Sequence, residues 1–315
     1  MASICYHASH EQFAPSHLLK LVLMAEQAGF DGIHSSDHFH PWSKRQGQSG
    51  FSFSWIAAAM QATRLPYSMV CAPGQRYHPA IVAQAISTLA EMFPGRINIE
   101  LGSGEALNEM ITGQQWPVKE VRNDRLLECA HVIRDLLNGK EVSFKGHIEV
   151  KDARLYTLPN QQPLLLCAAL SEKTAGWAGS WADGLLTTSG TSEDIGKKIK
   201  AFQTNGGQGK PVYLQFAFSY SRSKEKAVNG AYDQWRSALL PPEKLAGFHK
   251  VQQFDDAGEN VTVQQVLEVI PVFTTMNDLL MEIIRLTETG AQRIILHNVN
   301  RLQEEFIQDY HSFKR

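Results

Sequence analysis

Apolar and polar positions along this chain switch repeatedly between a short run and a helical stripe. Ser3–His7 is a short apolar-rich run that reads as a strand, and Leu18–Ala28 then sets Leu18, Leu19, Val22, Leu23 and Ala25 at helical spacing until Gly29 stops it. The same pair recurs. Strands are predicted over Phe30–Ser36, Pro66–Ala72 and Ile97–Leu101, with helices over Phe51–Thr63, from His78-Pro-Ala through Met92, and over Arg122–Leu137. Residues 142–158 break the rhythm with two β-like runs, Val142–Phe144 and His147–Val150, which read as a small hairpin excursion.

Alternation then resumes. Strands at Pro163–Ala169, Gly184–Thr188, Val212–Tyr220 and Arg293–His297 alternate with helices at Ser171–Trp181, Ser192–Gln203, Ser223–Trp235, Met276–Thr289 and Gln303–Tyr310. Residues 236–270, with Pro241-Pro242 and Asp255-Asp256, read as an irregular insertion. Eight strands each followed by a helix, with no linker at the midpoint, favour one domain over residues 1–315 built as a (β/α)8 TIM barrel. A dinucleotide fold fits less well, because Gly102-Ser-Gly104 lacks the third glycine of its fingerprint.

Composition changes this picture little. Hydrophobic residues make up 43% and charged residues 20%, enough apolar surface for a sizeable core. A net charge of −2 with scattered Lys and Arg gives no footing for nucleic acid or an anionic membrane surface. Cys5, Cys71, Cys129 and Cys167 are too far apart in sequence for a zinc knuckle or a redox pair. Scattered thiols and a start without a charged and apolar leader lead us to expect a cytoplasmic protein, and no apolar run is long enough to span a bilayer.

A barrel carries its chemistry where strands end, so those positions hold the candidates. After the second strand comes Ser36-Asp-His-Phe-His-Pro-Trp, which offers Asp37, His38, His40 and Trp42 within six residues. An imidazole ordinarily titrates near neutrality, which suits His38 to proton transfer, and a neighbouring Asp37 would fix its tautomer. Capping and loop solvation are the plain alternatives for each residue alone; the density of the cluster argues against them. After the third strand come Arg76 and His78, for which simple solvation is as good a reading. The fourth ends in Gly102-Ser-Gly-Glu-Ala-Leu-Asn, where Glu105 and Asn108 share a helical face. The turns Ala168-Ala-Leu-Ser171 and Thr188-Ser-Gly190 precede helices and suit either N-capping or a phosphate.

Five motifs in order then resemble the luciferase-like flavin oxidoreductases: Tyr6-His-Ala-Ser-His-Glu-Gln-Phe, Ser36-Asp-His-Phe-His-Pro-Trp with Gln46-Gly-Gln-Ser, Arg76-Tyr-His-Pro-Ala, Gly102-Ser-Gly-Glu-Ala-Leu-Asn-Glu and Thr188-Ser-Gly. They are similar to the branch that contains deazaflavin-dependent glucose-6-phosphate dehydrogenase, through roughly the first 190 residues. The resemblance implies a TIM barrel, a homodimer, and a flavin or deazaflavin across the mouth. It implies that Asp37, His38, Met69, Val70 and Asn108 meet the ring, with a non-prolyl cis peptide at Met69-Val70. Ala168, Ala169, Leu170, Ser171, Thr188, Ser189 and Gly190 would hold the phosphate. Glu11, His40, Trp42 and Thr188 would line the substrate pocket, and His38 and Glu105 would move protons with Asp37 orienting His38.

The departures narrow the substrate. A lysine follows the Thr-Ser-Gly turn in the sugar-phosphate branch, where this chain has Thr191, and an arginine of that branch falls at or near Glu305. Without both cations a dianionic sugar phosphate is unpaired. The opening motif and Cys71-Ala-Pro-Gly-Gln-Arg look more like a sister branch using an ordinary flavin. The expectation is therefore FMN, with coenzyme F420 as alternative, a small organic substrate, and a separate flavin reductase as a further partner. Dehydrogenase and monooxygenase chemistry both stay open. Two other classes compete: a metal-dependent hydrolase using His38 and His40 as zinc ligands, and a flavin-binding protein without turnover.

Overall fold

The computed structural model describes residues 2–188 and 190–314. Eight parallel strands form the barrel: β1 (Ser3–Ala8), β2 (Gly32–Ser36), β3 (Tyr67–Cys71), β4 (Ile97–Leu101), β5 (Leu165–Ala168), β6 (Leu185–Thr188), β7 (Val212–Tyr220) and β8 (Arg293–Asn298). Neighbours pair in the order β7, β8, β1, β2, β3, β4, β5, β6, and β6 returns to β7, which closes the cylinder. All these pairings are parallel. The crossover helices that parallel strands require supply the outer ring.

Those helices form because their apolar residues recur on one face. Met276–Thr287 buries Met276, Leu279, Ile283 and Leu286 and opens with Thr275, whose hydroxyl accepts from the Asp278 amide. Each such burial stabilises the fold by about 1.5–3 kcal/mol. Inside the barrel, Cys5, Leu166, Leu186, Tyr213 and Ile295 make a separate apolar cluster. His7, His34, Glu100 and His297 of the barrel strands are buried as well. All four cysteines are buried free thiols.

The hairpin is the antiparallel pair Val142–Lys145 and Glu149–Ala153. The stretch expected to be irregular instead holds three short helices, Pro242–Gly247, Val251–Gly258 and Val263–Val269. Thr262 and Gln265 close a capping box on the last of these, and Val266 packs with Ala231, Ile270 and Val299. A short strand, Val272–Phe273, extends the sheet beside the end of β7.

The expected cis peptide is not there: the described residues contain none. β3 runs in unbroken register through Met69 and Val70 against both Ser35-Ser36 and Ile99-Glu100. With both ladders satisfied by a trans bond, nothing offsets the roughly 3–4 kcal/mol that a non-prolyl cis bond costs. Among the described residues no helix is long and apolar enough to cross a membrane.

Candidate active site

The loops after β1, β2 and β4 converge on one carboxylate. Glu11 accepts from Ser9 Oγ at 2.9 Å on one oxygen and from Ser36 Oγ at 2.8 Å on the other. His38 brings Nδ1 to 3.4 Å from that second oxygen. Burial alone would raise the Glu11 carboxyl. The His38 and His7 imidazoles, its own amide and the Ser36 hydroxyl outweigh burial and hold it at about 2. Glu11 is thus a buried carboxylate held in its charged form, with the His38 imidazole beside it.

This corrects the expected partner. Asp37 does not orient His38; its Oδ2 accepts from Arg76 at 2.8 Å, and the same guanidinium nitrogen donates to the Asp37 carbonyl at 2.9 Å. Adjacent residues leaving a strand point to opposite sides, so the carboxylate next to His38 in sequence faces away from it. Arg76 is itself buried, 3.5 Å from Glu109, and its amide donates to the other Glu109 oxygen at 2.8 Å. Of the two readings left open for Arg76, solvation gives way to a buried clamp. Asp37 Oδ1, also buried, has no hydrogen-bond partner among the described residues.

Glu105 ends the Gly-rich turn just before the short helix Ala106–Glu109, without a capping bond from its side chain. The turn needs Gly104: φ is +79° there, and a Cβ would stand 2.9 Å from Glu109 Cγ. Burial, with Glu11 and Glu109 nearby, pushes the Glu105 carboxyl up to about 7 against the pull of His38 and Arg122. Asn108 holds the two loops together: its Oδ1 accepts the Phe39 and His40 amides at 2.8 and 3.1 Å, and its Nδ2 lies 3.4 Å from Glu105. His40 turns its Nδ1 to the Leu107 carbonyl at 2.9 Å. His38 and His40 therefore do not converge as a ligand pair, and among the described residues no three His, Cys, Asp or Glu side chains are grouped to hold a metal.

Trp42 walls the other side. Its ring lies 5.5 Å from His38 and meets Phe254 of the insertion edge-on at 5.2 Å. Asp255 fastens the insertion to this loop by accepting from Ser43 Oγ at 2.5 Å and the Lys44 amide at 3.1 Å, with Arg45 at 3.3 Å.

Met69 is buried in β3 and Val70 half-buried. A Cβ on Gly102 would stand 3.9 Å from Val70 Cγ1 and 4.0 Å from the Ala168 Cβ, so the bare backbone leaves a shelf over those two side chains. The β5 and β6 turns are neighbours through the pairing of Ala168 with Leu186. Ala169 is buried and Leu170 exposed, while Ser171 and Thr191 cap their helices through the Thr174 and Asp194 amides. Thr188 is half-buried and Gly190 exposed; Ser189 lies outside the described residues. Lys198, which the sequence reading passed over, is buried and donates to the Thr188 carbonyl at 3.1 Å. Its position seven residues after Thr191, one helical face on, was the available signal.

A family model described as luciferase-like monooxygenase matches residues 3–269. The F420-dependent glucose-6-phosphate dehydrogenase of Amycolatopsis mediterranei (strain U-32) is 29% identical over 322 residues, covering 98% of this chain and 96% of the relative. The enzyme of the same name from Mycolicibacterium gilvum (strain PYR-GCK) is 31% identical, covering 96% and 94%. The solved structure of an F420-dependent secondary alcohol dehydrogenase in complex with an F420-acetone adduct superposes with a TM-score of 0.91 at 30% identity, covering 99% of this chain and 97% of that one.

Proposed function

Because the chain belongs to the luciferase-like monooxygenase family, an oxidoreductase superfamily, we propose that it is a dehydrogenase exchanging a hydride between a small uncharged alcohol or ketone and coenzyme F420. The observation that carries the reading is the Glu11–His38 pair at the barrel mouth, 3.4 Å apart, with Glu105 beside it. Relatives near 30% identity with F420-dependent names favour the deazaflavin over the FMN expected from sequence. A separate flavin reductase belongs to the FMN reading and falls away with it.

The residues present fit such a ring. Asp37 Oδ1 is a buried acceptor still lacking a donor among the described residues, and Gly102 sets bare backbone beside Val70 and Ala168. The β5 and β6 turns, with Lys198 behind Thr188, would take the phosphate end. When bound, the coenzyme supplies the hydride acceptor or donor. The chain supplies the rest. His38 takes the hydroxyl proton in alcohol oxidation and returns it in ketone reduction, Glu11 balances the resulting charge, and Trp42 with Phe254 keeps water from the pocket.

Charge selects the substrate. Thr191 spends its hydroxyl on Asp194, and Glu305 accepts from Ser221 Oγ and the Arg222 amide at 2.8 and 2.7 Å. Neither position offers a cation to a sugar phosphate. The test is a binding titration with coenzyme F420 and with FMN, followed by turnover of neutral alcohols, a carboxylated alcohol and glucose 6-phosphate. Binding of F420 and preference for a neutral alcohol are expected. Binding of FMN alone, or preference for glucose 6-phosphate, overturns the reading. The homodimer is proposed alongside it and is read from the mass of the eluting particle.

A further inference from the structure

His38 and Glu105 follow different strands, yet one side chain holds both. Asn108 is 4% exposed and stands one helical turn after Glu105, whose carbonyl accepts the Asn108 and Glu109 amides at 3.0 Å each. Its side-chain oxygen accepts the Phe39 amide at 2.8 Å and the His40 amide at 3.1 Å. Its Nδ2 donates to Glu105 Oε2 at 3.4 Å. These partners fix which way the amide group faces. Flipped end for end, it would set its own N–H donors against two backbone N–H donors, so only one orientation serves both loops. The Ser49 hydroxyl donates to the His38 carbonyl at 2.6 Å. The peptide between His38 and Phe39 is therefore held at its carbonyl by Ser49 and at its N–H by Asn108. His40 adds a tie of its own to the Leu107 carbonyl at 2.9 Å; what Asn108 adds is the link to Glu105.

We propose that Asn108 is a positioning residue that couples His38 to Glu105, fixing the peptide after His38 with its oxygen and favouring the charged Glu105 carboxylate with its N–H. The inference rests on the reading above, in which His38 takes and returns the substrate proton. In alcohol oxidation a positive charge forms on the His38 imidazole, and a carboxylate on Glu105 stabilises it. A donor bonds a carboxylate more tightly than it bonds the neutral acid. The Asn108 N–H therefore favours the form of Glu105 that the oxidation needs, while the Asn108 oxygen keeps the His38 backbone in place.

The charges that face Glu105 leave it balanced enough for one hydrogen bond to matter. Burial pushes its carboxyl up to about 7, and Glu11 after β1 and Glu109 on its own helix push the same way. His38 after β2 and Arg122 on the following helix draw it down. Removing a donor to the carboxylate favours the acid and raises the pH at which Glu105 ionises, and an anion set in the donor's place raises it further. Removing the oxygen leaves the Phe39 and His40 amides without their partner and frees the peptide after His38 on that side.

Two variants of the full-length chain separate the ends of the amide. Asn108→Asp keeps an oxygen for the Phe39 and His40 amides and sets a second carboxyl against Glu105. Asn108→Leu removes both ends at similar volume. With isotope-labelled glutamate, the infrared C=O band that Glu105→Gln deletes reads the Glu105 acid, and hydrogen exchange reads the Phe39 and His40 amides; neither needs coenzyme or substrate. The acid band should persist to higher pH by about one unit in both variants, and the two amides should exchange about tenfold faster in Asn108→Leu alone. At saturating F420, the rise of alcohol oxidation with pH should move up by about one unit in Asn108→Asp, whereas kcat in Asn108→Leu should fall about tenfold at every pH. Asn108→Asp carries the test if Asn108→Leu does not fold. An acid band that titrates in Asn108→Asp as in wild type, or a loss confined to F420 affinity, overturns the coupling. If wild type oxidises no alcohol while the band and the amides respond as expected, the coupling stands and the dehydrogenase reading falls.

Discussion

Replacing Arg76 by Met keeps most of the side-chain volume and removes the charge that two buried carboxylates share. The Asp37 side chain is fully buried and that of Glu109 nearly so, at 2.8 and 3.5 Å from the guanidinium. At 2.8 Å the attraction to Asp37 is about 6 kcal/mol for an effective dielectric near 20, and Glu109 adds a second contribution. Desolvation of the three groups offsets much of that in the wild type. Removing one partner leaves the others buried and uncompensated, which typically costs about 3–5 kcal/mol. For a chain of this size the melting temperature should fall by roughly 5–15 °C. The pH dependence gives the sharper check. Burial already raises the Glu109 carboxyl and Arg76 holds it partly down, so the variant raises it further. An acid whose folded pKa exceeds its unfolded one binds more protons when folded, so its contribution to stability is present at low pH and lost as pH rises. Thermal and denaturant melts at about pH 5 and about pH 8 should therefore show a larger deficit at the higher pH. R76M/E109Q should recover part of the loss. A variant that melts within about 1 °C of wild type at both pH values, far below the shift that loss of a buried partner implies, refutes the clamp.

Three further outcomes follow from the site. Gly102→Ala sets a methyl in ordinary contact with Val70 and Ala168, so melting should stay close to wild type while F420 affinity drops about tenfold, or 1.4 kcal/mol; equal affinity in the titration would mean the shelf is not the ring's bed. Alcohol oxidation should speed up as pH rises through about 7, because an ionised Glu105 favours the imidazolium formed on His38, and a rise that persists in E105Q assigns it elsewhere. Asp255→Asn weakens three contacts between the insertion and the Trp42 loop, so KM for the alcohol should increase with F420 affinity unchanged; an unaltered KM would remove the insertion from the pocket wall.

The barrel was legible because its elements are long enough to show their period. Leu279, Ile283 and Leu286 recur at helical intervals over twelve residues, and each barrel strand sits between turn signals. The three helices within 236–270 were not legible: at six to eight residues each, they show barely two turns of pattern, and what fixes them is capping and contact with distant residues such as Val299. The Met69-Val70 peptide failed for the opposite reason. It was carried over by likeness, whereas the bond here is decided by two ladders that a trans peptide already satisfies.

At the site, residue types were readable and partners were not. Asp37 beside His38 looked like an orienting pair because neighbours in sequence are the only neighbours a sequence displays. The actual partner, Glu11, comes from another strand end, and Ser9 and Ser36 fix it from two directions. The same blindness hid the layer below. His7 and His34 each sat in a run read as apolar, yet a strand in a closed barrel buries both faces, so a histidine or glutamate mid-strand has to find partners inside. Such groups lower stability relative to leucine or valine unless something else requires them. Here Glu11 is that requirement: its charge holds His38 above and is felt by His7 below. The charge at the mouth of this barrel therefore does not act there alone: Glu11 also pulls on the buried His7 and His34 of the first two strands.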